Sequence, residues 1–159
     1  GLFALIQLRR AEPGEATLVT GRKHEIELLE RVQASPGDRI TVCDISIERN
    51  ARALERVLAQ GASVRYFDHH VARGQPAHPA LEAHIDTSPE VCTSLIVDRW
   101  LGHRFSRWAA AAAWGDNLAA SAEALSDRIG LSSDERQALR ALGESVNYNA
   151  YGESLPRSA

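Results

Sequence analysis

Methionine is missing altogether from these 159 residues, and lysine occurs once, at Lys23. The missing methionine, together with a first helix that no strand precedes, leads us to expect a fragment of a longer protein. With one lysine, the basic charge is arginine, whose planar fork suits phosphate and carboxylate; a GC-rich, alanine-rich coding bias gives the same skew, so it carries little weight. Only two cysteines occur, Cys43 and Cys92, in apolar runs and without a C-x-x-C spacing. That pattern excludes a disulfide framework and fits reduced, buried thiols of a cytoplasmic protein. There is no signal peptide, and no apolar run is long enough to span a bilayer, so no membrane partner is expected. Solenoid repeats, Pro-rich linkers and low-complexity tracts are absent. So are a P-loop, a dinucleotide-binding glycine fingerprint, a nucleophile elbow and a zinc finger. The formal net charge of −3 gives no general attraction for long duplex nucleic acid.

What is present is an ordinary globular composition, 44% hydrophobic and 25% charged, enough to bury one core. Helix and strand signals alternate. Residues 1–10 form an apolar-faced helix stopped by Glu12-Pro13-Gly14. Ala16 to Thr20 reads as a strand, and Glu25 to Gln33 as a helix with Ile26, Leu29 and Val32 in phase. A strand follows over Arg39 to Ile45, then a helix from about Glu48 to Gln60 closed by Gly61 at C′, then a strand from Ser63 to Phe67. His84 to Asp86 suggests a short edge strand. Ser88-Pro89-Glu90 resembles a helix start, and helices are expected over 108–114, 118–129 and 132–143. The fold class is therefore α/β: a parallel β-sheet flanked by helices in βαβ units over about 1–87, and a mostly helical C-terminal half over about 88–159.

The chemistry concentrates at strand ends. Asp68-His69-His70 leaves one buried strand, and Asp44 ends the strand before it. In a parallel sheet these ends share a rim where ligands bind, and oxygen with imidazole donors suits a divalent cation. Singly, Asp44 reads as a helix cap and Asp68-His69-His70 as a polar exit; together they point to a site. Asp116, in Gly115-Asp116-Asn117, is either an N-cap of the following helix or part of the same rim. Thr93 and Ser94 either cap a helix or bind an anion through hydroxyl and N–H groups. Asp86 is an outer candidate for the rim, whereas His24, His78, His84 and His103 read as surface or structural.

With those residues in view, the chain resembles the DHH phosphoesterases, a family including RecJ-type exonucleases, oligoribonucleases, cyclic-dinucleotide phosphodiesterases, exopolyphosphatases and manganese pyrophosphatases. Asp68-His69-His70 looks like the name-giving motif, Asp44 like the aspartate of the motif before it, and Asp116 like that of the fourth. Glu90-Val91-Cys92-Thr93-Ser94 is similar to the hydroxyl-rich stretch between them. The resemblance implies two-metal hydrolysis of a phosphoester or phosphoanhydride, with Mn2+ the expected ion and Mg2+, Co2+ or Zn2+ able to compete. It implies Asp44, Asp68, His69 and Asp116 as metal ligands, with Asp44 bridging. Asp68, His69 and His70 are then catalytic, and His70, Thr93 and Ser94 contact substrate, which would be a phosphate-containing small molecule or short oligonucleotide. The family's first motif, of Asp-x-Asp-x-Asp-Gly type, would lie upstream, with Gly1 resembling its last glycine. A small C-terminal substrate-binding domain, usual in the family, is not seen here. A catalytically impaired nucleotide-binding or regulatory module of the same fold is the alternative. A receiver-like domain with Asp44 as phosphoacceptor leaves the His pair without a use.

Overall fold

The computed structural model describes residues 1–151 apart from 23 and 75, so residues 152–159 of the expected helical half lie outside it. The chain opens with helix α1 (Leu2–Ala11), which turns Phe3, Ala4, Gln7 and Leu8 inward and ends on Arg9 and Arg10, cations suited to a helix C-terminus. Three parallel strands follow in the spatial order β1-β2-β3: β1 (Arg39–Cys43), β2 (Ser63–Asp68) and β3 (Leu81–Ile85). Helix α2 (Ala51–Ala59) is the crossover from β1 to β2. It buries Ala53, Leu54, Val57 and Leu58 against Val42, Val64 and Tyr66 of the sheet. It stops as expected at Gly61, whose φ is +87. Gly61 N–H returns to the Leu58 carbonyl and Ala62 N–H to that of Val57, the paired bonds of a Schellman end.

Two expected elements do not form. Residues 16–20 make no strand; Leu18 and Val19 stand 58% and 38% exposed. A strand exists through a neighbour's backbone, and among the described residues none runs beside this segment. The helix expected over 25–33 shrinks to one 3₁₀ turn, Leu28–Arg31. The cause is the buried Asn50 side chain. Its Oδ1 takes the Leu29 N–H at 3.2 Å, and its Nδ2 donates to the Ile26 carbonyl at 2.7 Å. An α-helix would need both groups for its own ladder, and only Leu29 reaches the core here. The edge strand appears, but over Leu81–Ile85 with Asp86 just past its end.

The second half is helical: α3 (Thr93–Trp100), α4 (Ser106–Gly115), α5 (Ala119–Arg128) and α6 (Ser133–Tyr151). Helix α3 begins at Thr93, later than Ser88-Pro89-Glu90 suggested. Helix α4 is apolar on all sides because it is the middle of this half; Ala109 to Ala113 are all buried. Small side chains let α6 lie directly on it. A Cβ built on Gly143 would sit 2.0 Å from the Ala111 carbonyl oxygen, and one on Gly115 would sit 2.7 Å from the Gly143 oxygen. Helices α3 and α4 form a hairpin whose bend is tied by the fully buried Asp98. Its carboxylate accepts from Ser106 Oγ at 2.9 and 3.1 Å and from His103 Nδ1 at 2.7 Å. His103 itself sits at φ +61. No helix among the described residues is long and apolar enough to cross a membrane.

Candidate metal centre

Parallel pairing of Cys43 with Phe67 brings the ends of β1 and β2 to one rim. Asp44 continues that register: its N–H donates to the Phe67 carbonyl at 2.9 Å. It then turns into the left-handed region, φ +65, a conformation that costs energy outside glycine and collects at functional sites. His69, one residue beyond β2, presents Nε2 to Asp44 Oδ1 at 3.5 Å. Donor atoms of Asp44, His69 and His70 all lie within 4.8 Å of one another. The two imidazole rings are 4.7 Å apart, centre to centre.

The His69 tautomer follows from its neighbours. Its Nδ1 lies 3.0 Å from the Val91 carbonyl. A carbonyl can only accept, so Nδ1 carries a proton and Nε2 is the ring nitrogen turned toward Asp44. This is how a backbone carbonyl prepares a metal-binding histidine. His70 is held differently. Its Nδ1 donates to Asp68 Oδ1 at 2.6 Å, and that carboxylate also accepts the His69 N–H at 2.9 Å, with the Ile47 N–H reaching its other oxygen at 3.4 Å. The bond to Asp68 raises the His70 pKa above the ordinary histidine value, against the opposing effect of partial burial.

Asp68, expected among the metal ligands, orients the His70 imidazole. Side chains alternate along a strand, so Asp68 falls on the buried Tyr66 side, fully enclosed, and its oxygens serve His70 and backbone amides. It is absent from the group of mutually close donors. Asp116 is also outside that group, yet it lines the same open cavity as Asp44, His69, His70, Thr93 and Ser94. It does not cap α5: the N-cap position is Leu118, and Asp116 closes α4. Burial of its carboxyl, and then the nearby Asp44 charge, raise the Asp116 pKa, while His69 and the Cys92 thiol pull it down.

Asp44 is pulled two ways. Desolvation by burial opposes its ionisation, and the hydrogen bonds it accepts, that of the Thr93 hydroxyl among them, favour it. Thr93 Oγ1 donates to Asp44 Oδ1 at 2.7 Å, and the Gly1 amine donates to Oδ2. Gly1 is the N-cap of α1 and Thr93 the first residue of α3, so the positive ends of two helix dipoles meet at this carboxylate. Thr93, expected to touch substrate, therefore spends its hydroxyl on Asp44. Ser94, 4% exposed, borders the cavity, and its carbonyl accepts from Gln7 Nε2 at 3.1 Å.

The remaining candidates are structural. Asp86 pairs with Arg99 at 2.8 Å and accepts the Ser88 N–H at 3.1 Å. His84 stacks on Phe67 at 5.0 Å and binds Glu82. Both cysteines are free, their thiols pushed up to about 12 by burial. Two contributors had no sequence signal: the Val91 carbonyl, because every residue has one, and the Ile47 amide for the same reason. No family model, curated protein or solved structure matches this chain, so the resemblance to DHH phosphoesterases stands on Asp44, Asp68, His69, His70 and Asp116 themselves.

Proposed function

We propose that the rim formed by Asp44, His69 and His70 binds a divalent cation and hydrolyses a phosphoester or phosphoanhydride bond. The observation that carries this reading is His69: a proton fixed on Nδ1 by the Val91 carbonyl, and Nε2 turned toward the Asp44 carboxylate. One carboxylate with imidazoles is a donor set fit for Mn2+, and Zn2+ or Co2+ would compete on affinity. Asp44 and His69 would hold the ion, with Asp116 the nearest further carboxylate in the cavity. When bound, the ion supplies positive charge to a phosphoryl oxygen and acidifies a water molecule. The described residues gather one such donor set, so a second ion would draw on groups beyond it.

The protein's own contribution is positioning and charge. Asp68 keeps His70 protonated at Nδ1 and aims Nε2 outward, where it can donate to a phosphoryl oxygen and stabilise charge that grows during bond cleavage. The helix N-termini of α1 and α3 favour an anion at the same rim. Phosphate-containing small molecules and short oligonucleotides fit these features.

Calorimetric titration with Mn2+, alongside hydrolysis of a chromogenic phosphodiester, short oligonucleotides, cyclic dinucleotides and polyphosphate, tests the proposal. Asp44→Asn should keep the fold, since Asn tolerates positive φ, and should lose Mn2+ binding together with any turnover. Wild-type protein that binds no transition metal, or Asp44→Asn with undiminished affinity, refutes it.

A further inference from the structure

We propose that the tripeptide Val91-Cys92-Thr93, where the chain enters α3, is the positioning strip of this site, its first and last residues each orienting a candidate donor brought by a different strand. The inference rests on the metal reading above. The Val91 carbonyl fixes His69, at the end of β2, through a 3.0 Å contact with Nδ1. The Thr93 hydroxyl fixes Asp44, at the end of β1, through a 2.7 Å bond to Oδ1. Cys92 lies between them, fully buried. His69 and Asp44, 22 and 49 positions away in sequence, are thus referred to one short piece of backbone.

The strip is itself anchored on both sides. Just before it, the Glu90 carbonyl accepts from Ser121 Oγ of α5 at 2.7 Å. Just after it, the Ser94 carbonyl accepts from Gln7 Nε2 of α1 at 3.1 Å. Cys92 and Thr93 are 0% and 1% exposed, so neither can swing away. Capping of α3 does not explain these choices. Cys92 occupies the N-cap position without a side-chain bond to the helix, and Thr93 sends its hydroxyl to Asp44 instead of the first turn. The geometry is that of an outer layer that presets the angles of donors before an ion arrives. Val91 and Thr93 are positioning residues here; neither needs to touch substrate.

The test uses the 159-residue chain with Mn2+ and Co2+ as probes. Thr93→Val keeps the side-chain shape and removes the hydroxyl; Thr93→Ser keeps the hydroxyl. Thr93→Val should raise the Kd for Mn2+ roughly 10- to 100-fold and alter the visible absorption of the Co2+-loaded protein. Thr93→Ser should return both toward wild type. Metal-free melting curves separate positioning from folding. If Thr93→Val melts far below wild type, Ser121→Ala takes its place, since it loosens the strip from outside the site; it should weaken Mn2+ binding in the same direction. Wild-type affinity and an unchanged Co2+ spectrum in Thr93→Val, or an unchanged Kd in Ser121→Ala where that variant is needed, overturn the positioning role while the metal reading stands. Wild-type protein that takes up neither ion overturns the metal reading, and the strip with it.

Discussion

Gly143→Ala should destabilise the protein even though it puts a better helix former into α6. The added Cβ would lie 2.0 Å from the Ala111 oxygen and 3.0 Å from both the Ala111 carbonyl carbon and the Gly115 nitrogen. All three are main-chain atoms of α4, so no side chain can rotate out of the way. Tolerable carbon–oxygen contacts begin at about 3.3 Å, and α6 must therefore retreat by more than about 1 Å at this point. That retreat loosens Leu139 and Val146, which pack beside Ala111, Ala112 and Trp114. Overpacking of this kind costs about 1–3 kcal/mol, and rigid opposing atoms place it at the upper end. Replacing a helical glycine returns up to about 1 kcal/mol. The net loss is about 2 kcal/mol, or roughly 4–8 °C in melting temperature for a domain of this size. Urea unfolding followed by circular dichroism measures it. Gly14→Ala is the control, because nothing lies within 4 Å of its added carbon. A Gly143→Ala protein as stable as wild type would show that the two helices do not touch as described.

Asp116→Asn should raise the melting temperature of metal-free protein at neutral pH. The folded Asp116 pKa is raised, so keeping the group ionised opposes folding above that pKa; the penalty is absent below the unfolded value of about 3.9. The gain should close as pH falls toward that value, and a melting point below wild type at pH 7 contradicts the crowding. The His70–Asp68 contact carries the opposite sign. His70 is raised, so its stabilisation is complete below about 6.5 and disappears as pH climbs through the higher folded value. Thermal melts of wild type and His70→Asn in EDTA should therefore differ most in mild acid and converge in alkaline buffer. Asp98→Ala strands the buried Ser106 hydroxyl and unties the solvent-exposed His103 ring; a loss of about 1–3 kcal/mol in urea unfolding is expected.

Where side-chain pattern decides structure, the sequence was readable. The apolar runs of β1 and β2, the amphipathic α2 and Gly61 at its end fold as read, and the same pattern brings Asp44, His69 and His70 to one rim. Periodicity failed where one distant side chain intervenes. Ile26, Leu29 and Val32 are in phase for a helix, but Asn50 occupies the carbonyl and amide that helix requires. Residues 16–20 carry strand propensity and lack a neighbour to pair with. Within the site, residue type located the donors but not their division of labour. Strand alternation turned Asp68 inward to serve His70, a hydroxyl chosen as a phosphate ligand serves Asp44, and Val91 acts through a carbonyl that no sequence pattern distinguishes.

The Asp98 tie at the bend of the α3–α4 hairpin makes a pair of tongs of those two helices. Its jaws are Thr93 and Asp116, and its rivet, Asp98, lies about 7.5 Å back from Thr93 along α3. Opening such tongs by about 8° shifts the Thr93 jaw by about 1 Å, a displacement that in catalytic sites costs on the order of a hundredfold in rate. A carboxylate outside the cavity lining therefore sets the gauge between two residues that border it.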